Sequence, residues 1–398
     1  MKKERGIRKG KYMMMNFDSR TLRFLLAVIV LSTAACTSQS QKGARNPNAG
    51  PGVGPKFGEQ FIVGYVPLDN PKNEYWKAYD EGLRKAIEDA GAKLLYFSGQ
   101  GDPVKQHDSF SQLVAQDVDM LLVYPIDSNA IGAAIQEANA ADIPVGVLWN
   151  PVPAASKAKI VMTISMDDEI AAARSAQAIV DGLTKKYGEP RGTVLEVQGR
   201  MVTTGGIRRG AGFHKVIDEY PDIKVTSKPG DWDTGKGTNV IQQWINAYPD
   251  TDAIFFHSDG AYTPAAIAAL SPIGRWQPAG EEGHIIIAGI DGSNIAVHAI
   301  KHGYMEYTSG AEHADVGGFL GSLAMEFLQS GAAPQVGEKI LRPETTWKAA
   351  EVVEIPTYAG PLVFIPVTSI TQENADDRDL FANKYQGSPN GLSECQWE

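Results

Sequence analysis

Residues 120–149 read MLLVYPIDSNAIGAAIQEANAADIPVGVLW, and this stretch decides the fold class. Two apolar runs, at 120–125 and 143–149, enclose a segment in which Ile131 and Ile135 recur one helical turn apart. Parallel strands that are covered on both faces are apolar throughout, and a helix usually connects one such strand to the next. The stretch therefore predicts a strand, a helix and a second parallel strand.

The same alternation continues along the chain and predicts an α/β fold. The order of elements indicates two similar Rossmann-like lobes with parallel sheets, the first from 61 to about 165 and the second from 192 to about 310. Prolines interrupt the strand-like residues 347–377, which we interpret as crossover segments and an edge strand. The predicted strands lie at 61–66, 93–99, 120–125, 143–149, 192–199, 223–229, 253–259, 284–291 and 304–310.

The N-terminus has the pattern of a bacterial leader. Lysines and arginines precede an apolar run at 24–31 that is too short to cross a bilayer. Ser-Thr-Ala-Ala-Cys follows at 32–36 and resembles a lipobox, so we expect a lipoprotein signal peptide at 1–35 and a lipid anchor on Cys36. An ordinary signal peptide cut near Ala35 is the alternative. Residues 36–56 are rich in Gly, Pro, Asn, Gln and Ser and predict a flexible tether.

Charge and cysteine content exclude several classes of function. The full chain has a net charge of −10, and removal of the basic leader makes the mature chain more acidic. Nucleic acid is therefore not an expected partner. The chain contains 2 cysteines, Cys36 and Cys395, which cannot form a disulfide framework.

Polar and aromatic side chains follow the predicted strands at the edge where ligands bind to open parallel sheets. Sugars suit such a mixture, because their C–H faces lie on aromatic rings while their hydroxyls pair with carboxylate, amide and guanidinium groups. Trp76, Trp149 and Trp232 are candidate platforms. The complete candidate set for ligand binding is Asn73, Tyr75, Trp76, Trp149, Asn150, Arg209, Trp232, Ser258, Asp259, Asp291 and Glu312.

Structural roles compete with binding at several of these positions. Tyr75 belongs to a helical stripe that faces a core, where we also place Tyr79. Asp291 could begin a turn before glycine, and we interpret Asp127 as a helix N-cap. Of the two adjacent arginines, we expect Arg208 to form a surface ion pair and Arg209 to bind ligand.

No motif for catalysis, a metal or a cofactor is recognised. His298 and His302 have helical spacing but no evident third ligand, so we expect a solvated surface there. Nucleophile-elbow, metalloprotease, calcium-loop and dinucleotide patterns are not found in the sequence. We therefore expect a binding protein rather than an enzyme, with an enzyme of sugars or nucleotides as an alternative.

The stretches 73–92, 126–145, 206–217, 230–255 and 288–303 together resemble the ribose and galactose type of periplasmic binding protein of ABC importers. This resemblance implies two lobes joined by a three-segment hinge, with crossings near 166, 311 and 357. The implied lobes are 57–166 plus 312–356, and 167–311 plus 357–398.

In that family, the positions of Arg209 and Asp291 grip sugar hydroxyls while aromatic rings sandwich the sugar. The chain has Trp149-Asn150 where ribose binders carry Asp-Arg, and Ser258 where they carry Asn. The resemblance therefore implies a sugar or polyol ligand other than ribose.

The resemblance also implies that hinge closure captures the ligand and that the closed form delivers it to an ABC permease. A receptor for chemotaxis or a sensor kinase is an alternative. We expect a monomer outside the cytoplasm, in the periplasm or at the cell surface, which contacts the membrane through its lipid anchor alone.

Overall fold

The computed structural model describes residues 55–56, 60–68, 74–310, 313–345 and 347–384. All of them belong to the unit Gly43–Glu398. The predicted leader, Cys36 and most of the predicted tether lie outside the described residues. In the described part of the chain, no helix is long and apolar enough to cross a membrane.

Strands and helices alternate along most of the described chain, as the hydrophobic pattern predicts. The strands are β1 (Ile62–Val66), β2 (Lys93–Tyr96), β3 (Met120–Val123), β4 (Val145–Leu148), β5 (Met162–Met166), β6 (Gly192–Gln198), β7 (Ile223–Pro229), β8 (Ala253–Phe256), β9 (Ile286–Asp291), β10 (Tyr307–Gly310), β11 (Lys339–Leu341), β12 (Ala349–Val353), β13 (Leu362–Ile365) and β14 (Thr368–Ile370). The helices are α1 (Glu74–Asp89), α2 (Pro103–Ala115), α3 (Ile131–Ala140), α4 (Asp168–Tyr187), α5 (Thr204–Ile217), α6 (Thr234–Ala247), α7 (Asp259–Leu270), α8 (Asn294–Lys301), α9 (His313–Ser330) and α10 (Phe381–Lys384).

Two sheets are built from these strands. The first has eight strands in the order β11-β12-β13-β5-β4-β3-β1-β2, and the second has six in the order β14-β10-β9-β8-β6-β7. Strands β1 to β5 pair in parallel in the first sheet, as β6 to β10 do in the second. The order of these five strands is the same in both sheets, which confirms the prediction of two similar α/β lobes.

The first lobe, as we use the term, is built on the first sheet, and the second lobe on the second sheet. All residues of β3 and β8, one strand from each lobe, are buried, as expected for strands with both faces covered. Two helices can approach each other closely where the residue at the contact is glycine. A Cβ on Gly212 of α5 would overlap the backbone of Glu169 in α4, so glycine permits this contact.

The chain leaves the first sheet at the end of β5 and enters the second lobe through α4. It returns between β10 and α9, which packs on α1, and Ala311 in this passage lies outside the described residues. The expected third crossing near Thr357 is wrong in position. Strand β13 pairs with β5 in the first sheet and β14 pairs with β10 in the second, so the crossing lies between Ile365 and Thr368.

The C-terminal strands therefore differ from the sequence prediction. Strand β13 lies between β5 and β12 and is not an edge strand, whereas β14 does form the edge of the second sheet. Strand β5 was not predicted, because Thr163 and Ser165 interrupt its apolar pattern. Both residues are fully buried, and the Ser165 hydroxyl donates to the carbonyl of Trp149 at 2.9 Å.

Candidate ligand-binding cleft

Arg209 of α5 forms hydrogen bonds to three separate chain segments at the carboxyl edge of the second sheet. Its Nε donates to Asp168 Oδ1 at 2.8 Å, and its Nη1 donates to Asp291 Oδ1 at 2.8 Å and to the carbonyl of His257. The Nη2 atom has no hydrogen-bond partner among the described residues. The guanidinium therefore keeps donor capacity for a further group.

The ion pairs of Arg209 are almost completely removed from water. Burial is the main cause that raises the pKa of Asp168 and of Asp291, and the neighbouring charge of Arg209 opposes that rise. In return, the two carboxylates raise the pKa of Arg209, although its burial acts in the opposite direction. This cluster is thus rigid, charged and able to form strong hydrogen bonds with hydroxyl groups.

Asp291 sits on a strained turn that a second aspartate supports. Its φ of 122° is a conformation that residues other than glycine rarely adopt. Asp259 accepts hydrogen bonds from the amides of Gly292 at 3.0 Å and Ser293 at 3.1 Å, and from the Thr308 hydroxyl. The structure thus engages both Asp259 oxygens in holding this turn, although the residue was predicted to contact ligand. Burial and the nearby charge of Asp291 raise the pKa of Asp259 to about 7.

Ser258, at the N-terminus of α7, donates its hydroxyl hydrogen bond to Oδ2 of Asp291. Since Arg209 bonds to Oδ1, both oxygens of the Asp291 carboxyl group are held in place. The structure therefore brings together Arg209, Ser258 and Asp291, three of the residues predicted from strand ends.

Trp232 stands beside the Arg209 cluster on a strained loop. Asp231 and Trp232 have φ values of 54° and 62°, and the Trp232 amide donates to the Tyr262 hydroxyl at 2.9 Å. The indole ring covers Gly199, where a Cβ would overlap the ring. The guanidinium carbon of Arg209 lies 5.5 Å from the ring centroid, a cation–π distance. Trp232 is half-buried, so part of its surface is accessible.

The first lobe contributes Tyr124 and Trp149, which follow β3 and β4. Trp149 has a φ of 55° and its side chain is buried. Burial raises the pKa of Tyr124, and the charges of Arg209, Asp291 and Asp168 also act on its hydroxyl. Tyr124 therefore approaches the Arg209 cluster from the opposite lobe.

Asn150 makes contacts with both lobes. Its Nδ2 donates to the carbonyl of Pro125 at 2.8 Å in the first lobe, and its Oδ1 accepts from the amide of Gly205 at 3.3 Å in the second. Nearby, Ser128 Oγ accepts from the amide of Thr204 at 3.1 Å. The two lobes are therefore in direct contact, and the Asn150 amide group is engaged by protein atoms rather than exposed to the cleft.

The remaining predicted residues have mixed outcomes. Asn73 and Glu312 lie outside the described residues, and for Tyr75 and Trp76 the structure describes only their place in α1. Asp127 accepts from the amides of Asn129 and Ala130 at 2.8 and 3.0 Å and so holds the turn before α3, but the N-cap of that helix is Ala130, so the N-cap predicted at Asp127 is wrong in position.

Arg208 forms ion pairs at the start of α4, as expected for the first of the two adjacent arginines. Its Nη2 bonds to Asp167 at 3.0 Å and its Nε to Glu169 at 3.3 Å. The Arg208 side chain is nevertheless 5 % exposed and so is buried, not the surface ion pair that was predicted.

Asp168 and Tyr124 were not predicted as site residues. Asp168 is the first residue of α4 and comes shortly after the end of β5. Because β5 was not predicted from sequence, Asp168 was not recognised as a residue at a strand end. Tyr124 was included in an apolar run and its hydroxyl was overlooked. A search for polar atoms in the last two residues of every predicted strand would have found Tyr124, because the predicted strand 120–125 ends in Tyr124-Pro125.

A buried polar cluster behind Trp232 was also missed. Glu196 bonds to His257 Nε2 at 2.7 Å and to His214 Nε2 at 3.2 Å. Burial would raise the pKa of Glu196, but these hydrogen bonds hold it at about 2, and they raise the pKa of His214 to about 9. The His257 ring lies 6.2 Å from the Trp232 ring, so this cluster supports the floor beneath Trp232.

A comparison with protein families identifies the family of this chain. The model of the periplasmic binding protein domain matches residues 63–332, which is more than half of the chain. The chain belongs to this family. The resemblance inferred from sequence is therefore confirmed, and members of this family are binding proteins that work outside the cytoplasm.

Individual relatives give the same result. The chain is 27% identical to the ribose import binding protein of Bacillus subtilis over 282 residues, which cover 71% of this chain and 84% of the relative. It is 25% identical to the xylitol-binding protein of Mycolicibacterium smegmatis over 312 residues, covering 78% of this chain and 84% of the relative.

Solved structures support the fold of this periplasmic binding protein. A galactofuranose-binding protein has a TM-score of 0.67 and 21% identity, covering 81% of this chain and 98% of that one. A solute-binding protein from Bacillus halodurans with bound myo-inositol has a TM-score of 0.65 and 17% identity, covering 80% and 97%. These similarities confirm the predicted type I periplasmic binding protein fold.

Proposed function

We propose that this periplasmic binding protein captures a sugar or polyol between its two lobes and delivers it to an ABC importer. The observation that carries the proposal is the position of Arg209, which is held by Asp168 and Asp291 beside Trp232 and whose Nη2 has no partner within the described part of the chain. Relatives named for ribose and xylitol make polyhydroxylated compounds the first class to test.

Hydroxyl groups fit the chemistry of this cluster. Arg209 Nη2 donates to a ligand oxygen, while the apolar face of the ligand packs on Trp232. A hydrogen bond to a charged group contributes about 1.5–3 kcal/mol, so a ligand that lacks the matching hydroxyl binds much less tightly. Ser258 and Asp259 act in this scheme through Asp291, which they hold in place.

The other side of the pocket comes from the first lobe. Asn73, Tyr75 and Trp76 supply polar and aromatic groups from the first loop and α1, and Trp149 lies at the end of β4. Glu312 adds a carboxylate from the second crossing. Because Trp149 stands where ribose binders carry aspartate, the proposed ligand is a sugar or polyol other than ribose.

The lobes move about three chain crossings, at 166–168, 310–313 and 365–368. The ligand binds while the cleft is open, and closure then excludes water from the Arg209 cluster. Cys36 carries the lipid that keeps the protein at the membrane, and the tether gives the lobes access to the permease. Incorporation of radiolabelled palmitate into the wild type and its loss in Cys36→Ser test the lipid anchor.

Mass spectrometry of small molecules released from the purified, denatured protein tests the proposed ligand class. We expect a polyhydroxylated compound in a molar ratio near one, and its return to the refolded protein in a titration. Release of a nucleotide or an amino acid, with rebinding of that compound, would contradict the proposal.

A further inference from the structure

Helix α5 begins at the contact between the two lobes, and its first amides have unusual partners. The first four amides of a helix have no acceptor within the helix. In α5 these are the amides of Thr203 to Gly206. The amide of Thr203 donates to the carbonyl of Arg200 at 3.0 Å, and the amide of Gly206 donates to the Thr203 hydroxyl at 3.1 Å. Thr203 is thus an ordinary N-cap, and the second lobe satisfies two of the four amides.

Side chains of the first lobe accept the other two amides. The amide of Thr204 donates to Ser128 Oγ at 3.1 Å, and the amide of Gly205 donates to Asn150 Oδ1 at 3.3 Å. The Asn150 amide group is itself anchored in the first lobe by its bond to Pro125. The N-terminus of α5 is therefore capped partly by its own lobe and partly by the opposite one.

Two more contacts join the same segments. The Ser128 and Thr204 hydroxyls lie 3.3 Å apart, and the Ser128 amide donates to the carbonyl of Val202 at 3.4 Å. The exposed fractions of Ser128 and Thr204 are 1% and 5%, so water has little access to these bonds. An amide that lost its acceptor here would remain buried and unsatisfied.

We propose that Ser128 and Asn150 form an interlobe latch that stabilises the closed form by capping α5. In the open form, water hydrates the amides of Thr204 and Gly205. In the closed form, the latch replaces that water. This inference rests on hinge closure as part of the proposed function, but it assigns Asn150 to closure and not to ligand recognition.

The latch has a consequence for affinity that differs from that of a pocket residue. When only a fraction of the protein can adopt the closed form, the observed association constant is the intrinsic association constant multiplied by that fraction. A change in the latch alters that fraction alone, so it changes the affinity for every ligand by the same factor. A change at a residue that touches ligand alters the affinities unequally.

Distance measurements without ligand test the latch directly. Spin labels at Val104 and Thr234, introduced as non-canonical amino acids, report the separation of the lobes by double electron–electron resonance. Both positions are exposed and lie at the starts of α2 and α6, which follow edge strands β2 and β7. We expect Ser128→Ala to shift the distance distribution towards longer separations.

A second variant opens the cleft by a different route. A Cβ on Gly205 would lie 3.0 Å from Asn150 Oδ1, so Gly205→Ala crowds the closed form alone. Ser322→Ala is the matched control, because within the described residues the Ser322 hydroxyl bonds only to the carbonyl of Gly318 in α9, at 2.9 Å. Distance distributions of Ser128→Ala and Gly205→Ala that both coincide with the wild type would overturn the latch.

Calorimetric titration with xylitol, D-ribose and myo-inositol gives the second readout. Loss of the Ser128 hydroxyl should weaken binding of each compound that binds by about fivefold, which corresponds to one ordinary hydrogen bond. The ratios between the compounds should stay unchanged. Altered ratios would place Ser128 in the pocket and contradict the latch. Failure of all sugars and polyols to bind would remove the proposed ligand class, while the distance measurements would still decide the latch.

Discussion

Replacement of Arg209 by methionine removes the positive charge from the centre of the cleft. The wild-type side chain is 12% exposed and bonds to two carboxylates whose side chains are 3% and 10% exposed, those of Asp168 and Asp291. Loss of one partner from a buried ion pair usually costs about 3–5 kcal/mol. We therefore expect Arg209→Met to lower the free energy of unfolding by about 3–5 kcal/mol at pH 7.5.

This loss should depend on pH in a direction that follows from the carboxyl groups. Burial already raises the pKa of Asp168 and Asp291, and removal of Arg209 removes the charge that opposes the rise. A carboxyl group with a raised pKa binds more protons in the folded state, so stability is highest at low pH and falls as pH rises through the folded pKa. The slope is about 1.4 kcal/mol per pH unit for each proton involved.

Urea denaturation of the wild type and Arg209→Met at pH 5 and pH 7.5 measures both effects. The deficit of the variant should be smaller at pH 5 than at pH 7.5. Arg84→Met is the control, since Arg84 is about half-exposed and its one ion pair in the described part of the chain is with exposed Glu88, and we expect a change below about 0.5 kcal/mol. A deficit below about 1 kcal/mol at pH 7.5, or the same deficit at both pH values, would refute the reasoning.

Three further substitutions test the support of the cleft. Gly199→Ala places a Cβ against the Trp232 ring, and titration calorimetry should show at least tenfold weaker binding of the compound released from the wild type; unchanged affinity would exclude the packing role. Asp259→Ala leaves buried amides unsatisfied, and we expect chemical denaturation to show a loss of about 1–3 kcal/mol, whereas no loss would contradict its role in the turn. The pKa of His214 is about 9 because Glu196, and to a smaller extent Asp218, bond to its ring, so its stabilising effect is complete below about pH 6.5 and disappears as pH rises through about 9. His214→Gln should therefore be less stable than the wild type at pH 6, and a gap that does not shrink by pH 9.5 would count against this pairing.

The fold followed from sequence where side chains repeat with a clear period. Strands β3 and β8 are apolar throughout, and a sequence pattern shows such strands directly. Strand β5 was missed because Thr163 and Ser165 are buried polar residues, and their burial depends on neighbours distant in sequence. The third crossing was misplaced because its position was carried over from the family resemblance, while the pairing of β13 with β5 depends on residues distant in sequence.

The cleft was predictable to the extent that it depends on strand ends. Arg209 and Asp291 come together because the carboxyl ends of parallel strands meet at one edge of a sheet. The partners of Asn150 and Asp259 could not be predicted, because a carboxylate or amide that follows a strand has the same sequence signal whether it faces ligand or protein. Asp168 was missed because it follows β5, a strand that was not predicted.

Titration calorimetry shows whether Arg209 binds a sugar or polyol between the lobes. Wild type and Arg209→Lys are titrated with xylitol, D-ribose, myo-inositol, D-allose and the compound released from the protein. We expect at least one polyhydroxylated compound to bind with a stoichiometry of one, and Arg209→Lys to weaken that binding at least tenfold, because the single nitrogen of lysine cannot reproduce the separate Nε, Nη1 and Nη2 positions of the guanidinium. No binding by any of these compounds, or equal affinity in both proteins, would contradict the account.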